Sequence, residues 1–408
     1  MTAFTLTPDQ ARIVLLAAQG LHKRPTRPPR KLDVLKTIQV MGALQIDTIH
    51  VVNRSPYLVL WSRLGHYNPL WLEELLGERA LFEYWAHAAC FLPSEDYPLY
   101  RYFMLNQRKG GERSAEWVST HVEAVERVLA HIHANGGARA SDFERADGQK
   151  GGWWNWKDEK IALEHLLNLG HLMIARRVNF HRIYDLRERV RPDWDDANVP
   201  TADTVRRILV RKSVRALGVT PARWLPDYFR MKKQPLLPLL DSLVAEGLLL
   251  RGEVEGWQGP AYAHPDTLPW VKAAASGKLR AERTTLLSPF DPVVWDRTRT
   301  RELFGFDYKI ECYTPAPGRR YGYFTLPILH RGCLVGRLDP KAHRKEGVFE
   351  IKSLHLEPSV AITDALASGI ATALHEIARW HQTPQVVVRA TQPEAFREVL
   401  NQALAQSL

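Results

Sequence analysis

Three times along the chain, apolar residues at helical spacing run into a glycine and then into an apolar, alternating stretch. Leu35, Ile38 and Gly42 form the first instance, Leu163, Leu166, Leu167 and Gly170 the second, and Leu240, Leu243, Val244 and Gly247 the third. This pattern predicts an amphipathic helix, a glycine cap and a strand, repeated three times. Counting three and five residues past each glycine gives Gln45 and Asp47 in the first copy, Met173 and Ala175 in the second, Leu250 and Gly252 in the third. Only the first copy carries a polar pair. Strand residues two apart share a face, so Gln45 and Asp47 are expected to project together while Ile46 faces the core. An amide beside a carboxylate can hold and polarise a water; the plainer alternative is a carboxylate that salt-bridges a neighbouring arginine.

The surrounding pattern predicts the rest of the architecture. Thr7, Pro8 and Asp9 form a helix start, with the helix running to about Gly20. Residues 22–31 hold five Lys or Arg and three prolines, a solvated loop that is either a solubilising connector or an arm along a nucleic-acid backbone. A helix over about 32–43 leads to the Gln45 strand, followed by a turn over 50–56 that carries Arg54 and a return helix or strand from Tyr57. Residues 82–90 place Trp85 and His87 two apart in an apolar context, as a satisfied core histidine beside an aromatic or as a pocket wall. Beyond residue 111 come a long helix, a short one from Ser141 and a third over 156–170. The hairpin over 172–184 has a turn near Val178 and Asn179, with Arg176, Arg177, His181 and Arg182 crowded at its tip, a cationic end that suits phosphate contact or minor-groove insertion or is simply solvated. Three tryptophans in the loop at 150–156, Trp153 among them, either pack on the helix or stack on nucleic acid. An acidic, proline-bearing linker over 191–200 precedes the third unit, whose hairpin turns at 256–259.

From about Thr284 the texture becomes strands, at 308–313, 321–329, 332–338 and 347–354, an expected antiparallel meander. A helix over 361–380, a strand over 385–389 and a last helix from Pro393 follow. The turn at 317–320 carries Arg319 and Arg320, and a turn at 339–345 carries Lys341 and Arg344; these outward cations either flank DNA or cover sheet edges. The expected fold is therefore mainly helical with strands (α+β): winged helices at 1–110, 111–190 and 200–270, then a β-rich domain at 284–408.

Composition narrows the function. Apolar residues at 45% and charged residues at 25% of 408 are ordinary globular values, and 55 Lys and Arg against 45 Asp and Glu leave a net charge of +10. Clustered cations gain affinity for polyanions by releasing counterions from phosphates. Cys90, Cys312 and Cys333 fit neither a zinc spacing nor a disulfide framework, so no metal or cofactor is expected. Without a long apolar run or a secretory pattern at the N-terminus, the expected home is a reducing cytoplasm, away from membranes.

Several separated stretches carry a resemblance: the basic arm, Gln45-Ile46-Asp47, the run from Tyr84 to His87, the run from Leu287 to Pro292, the run from Gly336 to Ala342, and the repeated units. In that order they resemble the AlkX (YcaQ) group of bacterial DNA glycosylases, related to AlkZ, over essentially the whole chain. The resemblance implies a C-shaped array of three winged helices with a C-terminal β domain. It further implies an enzyme, acting as a monomer on double-stranded DNA, that removes N7-alkylated guanine and unhooks nitrogen-mustard-type interstrand crosslinks. The group's catalytic glutamine, apolar residue and aspartate map onto Gln45, Ile46 and Asp47, where the AlkZ side has a second glutamine. The competing class is a non-enzymatic winged-helix regulator; RNA binding near Trp153 lacks a recognisable RNA module.

Overall fold

The computed structural model describes residues 2–106, 111–143, 158–232 and 234–406. The tryptophan-rich loop with Trp153 lies outside them. Contacts divide the chain into two compact units, one comprising Met1–Asn68, Ala86–Ala88 and Arg207–Leu408, the other Pro69–Trp85 and Ala89–Arg206. Residues 69–85 and 89–110 thus share a unit with 111–206, and residues 1–68 and 86–88 share one with 207–408.

The three helix-to-glycine junctions form as patterned. Helices Lys31–Met41, Asp158–Asn168 and Leu237–Ala245 each run into a glycine in the left-handed region, Gly42 at φ 73°, Gly170 at 72° and Gly247 at 72°. At the second junction Gly170 N–H donates to Leu167 O (3.0 Å) and His171 N–H to Leu166 O (2.9 Å), closing the last turn. A Cβ on Gly170 would land on the Arg101 guanidinium and 2.7 Å from Met104 Sδ. Left-handed strain and this overlap together put the expected cost of Gly170→Ala at about 2–4 kcal/mol, read as a lowered urea midpoint.

At the N-terminus, Thr7 and Gln10 cap helix Pro8–Ala18 reciprocally, with bonds of 3.3 and 2.9 Å. The hairpin of the smaller unit pairs Leu172–Val178 with His181–Leu186, and its two turn residues, Asn179 and Phe180, have φ of 51° and 67°. Both residues at positive φ make the mirror-image turn that matches strand twist, centred one residue later than the pattern suggested. In the larger unit Leu250–Val254 pairs with Ala261–Ala263, which pairs with Val219–Pro221, while Thr5–Leu6 adds in parallel to Leu250–Val254. Phe4, Leu6, Ala11 and Val14 are buried in one core with Val219, Val254, Ala261 and Val271. The first residues of the chain therefore complete the sheet of the third expected segment.

The C-terminal sheet runs antiparallel through Thr284–Leu286, Leu326–His330, Cys333–His343 and Val348–Leu356. Helix Asp364–Trp380 then returns the chain so that Gln385–Val388 lies parallel to Val348–Leu356, so the meander ends in a crossover. Three local expectations change, the first being that the strand expected at 321–329 begins only at Leu326. Residues 308–313 form no strand, because the Glu311 carboxylate accepts the N–H groups of Arg320, Tyr321 and Gly322 at 3.2, 2.8 and 3.1 Å and pins the segment as a loop. Strand Cys333–His343 runs through most of the expected 339–345 turn, with a register shift at Asp339/Pro340, so Lys341 sits on a strand opposite Glu350.

Candidate active site

After Gly42 the strand lasts only for Leu44–Gln45. Asp47, expected to continue it, lies in the coil beyond, where its Oδ1 accepts the N–H of Ile49 at 2.8 Å. A short carboxylate capping the N–H two residues on diverts the chain out of a ladder into a turn. The same stretch is held from the C-terminal part of the unit. Ala342 N–H donates to Val51 O at 3.3 Å, the Arg344 guanidinium donates to Val52 O, and Ser55 Oγ and Ser288 Oγ lie 2.6 Å apart. Helix Ser55–Leu64 is tied down by Arg63, buried in an ion pair with the fully buried Asp291. The runs at 287–292 and 336–342 thus each supply contacts that hold residues 44–63, the second while serving as a strand of the C-terminal sheet.

Asp47 is half-buried, and desolvation raises its carboxyl pKa against the opposing pull of the Ile49 N–H. Among the described residues no ion pair holds Asp47, so the salt-bridge alternative finds no partner. The half-buried Gln45 amide has no hydrogen bond among the described residues either. The Asp47 charge is felt by two side chains the sequence did not flag, Cys312 and Tyr313. Burial, then Asp47, raises the Cys312 thiol; at Tyr313, whose ring is exposed, partial desolvation of the hydroxyl, then Cys312 and Asp47, raises the phenol. Cations follow in the same stretch. Burial first, then Arg344 and Arg54, lower the His50 pKa to about 4, so its imidazole is neutral near pH 7. Burial and then Arg54 lower the Arg344 pKa, yet a guanidinium remains charged throughout the physiological range. Arg54 sits at the N-cap of Ser55–Leu64, and Arg344 follows strand Cys333–His343. A half-buried carboxylate of this kind can stabilise developing positive charge or accept a proton, and the guanidiniums can position phosphates.

The other predicted residues divide. Arg177 is buried, donating Nε and Nη2 to Glu83 at 2.5 and 2.8 Å and Nη1 to Phe180 O at 2.5 Å, with its guanidinium 4.3 Å from the Phe180 ring centroid. Arg182 pairs with Glu83 and Glu164, each at 3.0 Å. Two cations expected at a phosphate-facing tip are instead committed to internal carboxylates; Arg176 is exposed on the same hairpin. Arg320 is exposed over the Tyr321 ring (4.9 Å), and Arg319 lies over Tyr323 (4.8 Å) while donating to Thr314 O at 2.9 Å. Lys341 faces solvent from its strand.

His87 is buried, with partners on both ring nitrogens. Its ring stacks on Trp295 at 4.0 Å, Nδ1 donates to Asp227 O at 3.0 Å, and Nε2 accepts from Arg230 at 3.0 Å. Burial, then Arg230, lowers its pKa to about 3, so this imidazole is neutral and structural. Trp85 is partly exposed, with Nε1 donating to Asn168 Oδ1 at 2.7 Å. All three cysteines are free thiols, and no group of three or more metal-ligating side chains assembles among the described residues. No helix among them is long and apolar enough to cross a membrane.

A family model described as DNA glycosylase AlkZ-like matches residues 38–380, most of the chain. That span contains residues 44–63 and both stretches that mount them. Among solved structures, the fold is similar to Streptomyces sahachiroi DNA glycosylase AlkZ, with a TM-score of 0.60 and 15% identity over 95% of this chain and 100% of that one. At such identity the likeness concerns the fold, mixed helix and strand in both units; the family match separates an enzyme from a non-catalytic regulator. The chain belongs to the AlkZ-like DNA glycosylase family, and its activity is that of a DNA glycosylase.

Proposed function

We propose that the protein hydrolyses the N-glycosidic bond of cationic N7-alkylguanine in duplex DNA, with Asp47 as the acting carboxylate and Gln45 orienting the attacking water. The same reaction on a tethered guanine unhooks nitrogen-mustard-type interstrand crosslinks. The observation that carries this reading is the state of Asp47: half-buried, outside any ion pair among the described residues, and followed closely in the chain by His50 and Arg54. The three helix-glycine-strand copies are read as tandem winged helices that present this segment to DNA as a monomer.

The chemistry suits that inventory. N7-alkylation places a positive charge on the purine, so when the C1′–N9 bond breaks its electron pair neutralises the base, and no strong general acid is needed for the leaving group. The barrier then lies in the oxocarbenium character at C1′ and in placing the nucleophile. Asp47 opposes the developing charge and takes the proton that the water loses as its oxygen bonds to C1′. No lysine joins the Gln45 and Asp47 pair in sequence, so the expected product is an intact abasic strand. A crosslinked base cannot swing fully out of the helix while tethered, so an open approach to the duplex is favoured over a closed single-base pocket.

Duplex DNA containing N7-methylguanine tests the reading directly, with free base and an unbroken abasic strand as the expected products. Binding without release at any protein excess would overturn it. A pH profile adds a second check. A raised Asp47 pKa means the active carboxylate is lost as pH falls through a value above the ordinary ~3.9, so the rate should show an acid limb that disappears in Asp47→Asn. The stability sign is opposite. An acid whose folded pKa is raised favours the folded state at low pH, and that contribution is lost as pH rises through the raised value.

A further inference from the structure

We infer that Tyr313 is the side chain that stacks on the nucleobase at the lesion and holds that nucleotide against Asp47, an inference that rests on the glycosylase reading above. Tyr313 is 80% exposed, against 60% for the next most exposed large hydrophobic residue among those described, Leu70. Its ring stacks on no other aromatic and under no guanidinium among the described residues, although Arg319 and Arg320 each cover a neighbouring tyrosine, Tyr323 and Tyr321. A large apolar ring left in water has forgone roughly the burial free energy that similar rings in this protein gain.

The tyrosine is also held at a defined place. Thr314 N–H donates to Glu311 O at 2.9 Å, Arg319 Nε donates to Thr314 O at 2.9 Å, and Gly318 N–H donates to Pro315 O at 2.9 Å. The Glu311 carboxylate ties the start of this loop to three N–H groups at its end. A ring presented from so braced a loop loses little freedom on contact, which is what makes an aromatic anchor effective. The loop and the Asp47 stretch are seated on one strand: at the loop's end Gly322 backs onto Asp339 and Phe324 N–H donates to Asp339 Oδ1 at 3.4 Å, and further along strand Cys333–His343 Ala342 N–H donates to Val51 O at 3.3 Å. The Asp47 charge accordingly acts on both Cys312 and the Tyr313 phenol.

Every nucleobase offers a π face to such a ring, and a cationic purine is drawn further by the ring's quadrupole. An aromatic beside the carboxylate thus gives selectivity for the charged lesion over unmodified guanine.

The test compares wild type, Tyr313→Phe and Tyr313→Ala in single-turnover release of N7-methylguanine, with 2-aminopurine in the flanking position as a stacking reporter. Loss of a base-stacking ring should lower release at sub-saturating protein by about 10-fold to 100-fold in Tyr313→Ala, with Tyr313→Phe within roughly threefold of wild type. Reporter quenching should persist in Tyr313→Phe and vanish in Tyr313→Ala, which a merely structural loop residue would not produce. Equal rates for Tyr313→Ala and wild type would overturn the inference, as would a Tyr313→Phe defect matching that of Tyr313→Ala, since that assigns the effect to the hydroxyl. Absence of release by wild type overturns the N7-alkylguanine reading and this inference with it; release by wild type that Tyr313→Ala matches overturns this inference alone.

Discussion

Replacing Asp47 with asparagine should lower the single-turnover rate of base release by about 100-fold to 1000-fold, the usual consequence of removing one preorganised charge from a reacting centre. Duplex affinity should change by no more than about twofold, because phosphate contacts supply most of the binding free energy and Asp47 carries the wrong sign for them. The substitution is well placed to separate chemistry from folding. An asparagine Oδ1 can still accept the Ile49 N–H, so the turn is retained. Desolvation penalises the aspartate's charge, so the neutral variant should be at least as stable as wild type at pH 7, as a thermal melt would show. A rate loss accompanied by a lowered melting point would point to local unfolding; an unchanged rate would remove Asp47 from the chemistry. Gln45→Ala should cost less, roughly 10-fold, since it positions the water without opposing charge.

Why this pair stood out in the sequence, and its surroundings did not, has a physical reason. The repeat compares one chain with itself, and a position that is apolar in two copies and polar in the third stands out without any knowledge of tertiary contacts. The helix-to-glycine junctions at Gly42, Gly170 and Gly247 were legible for a similar reason, since the cap is a local backbone requirement. Arg177 and Arg182 show the opposite case. A hairpin tip rich in cations looks the same from sequence whether its guanidiniums face phosphate or Glu83, a carboxylate 94 and 99 residues away. Tyr313 was hidden by an alternation that resembled a strand, because the pattern does not reveal that Glu311 has taken up three N–H groups and made the segment a loop. The parallel addition of Thr5–Leu6 was invisible as well: a two-residue strand has no period to detect, and its partner lies some 250 residues away. Local signals were thus recoverable, whereas the partners of charged groups were set by contacts distant in sequence.

The second large effect is expected at Asp291, and it concerns stability. Asp291 is fully buried beside a nearly buried Arg63, and also accepts the N–H of Val293 at 3.0 Å. Arg63 has other acceptors, Gln19 O at 3.1 Å and Val59 O at 3.2 Å, but none of them carries charge. A second buried guanidinium lies close by, since Arg283 donates to Arg63 O at 2.8 Å. Burial lowers the Arg283 pKa to about 10, with Glu376 pulling it up and Arg63 pushing it further down. Asp291→Ala would therefore leave the Arg63 guanidinium without a charged partner in a space closed to water, and removing one member of a buried pair typically costs about 3–5 kcal/mol. Asp291→Asn keeps the shape without the charge and should recover only part of this. Replacing both members, Arg63→Met with Asp291→Leu, should restore most of the loss, because a desolvated pair is worth little more than apolar groups of similar volume. Urea titration of the three variants measures the effect. If the two single substitutions cost as little as exposed ones, less than about 0.5 kcal/mol, Arg63 and Asp291 do not anchor helix Ser55–Leu64. If the costs are large and base release survives in the folded fraction, the 287–292 stretch is a mount for residues 44–63, and the chemistry resides in the segment it holds.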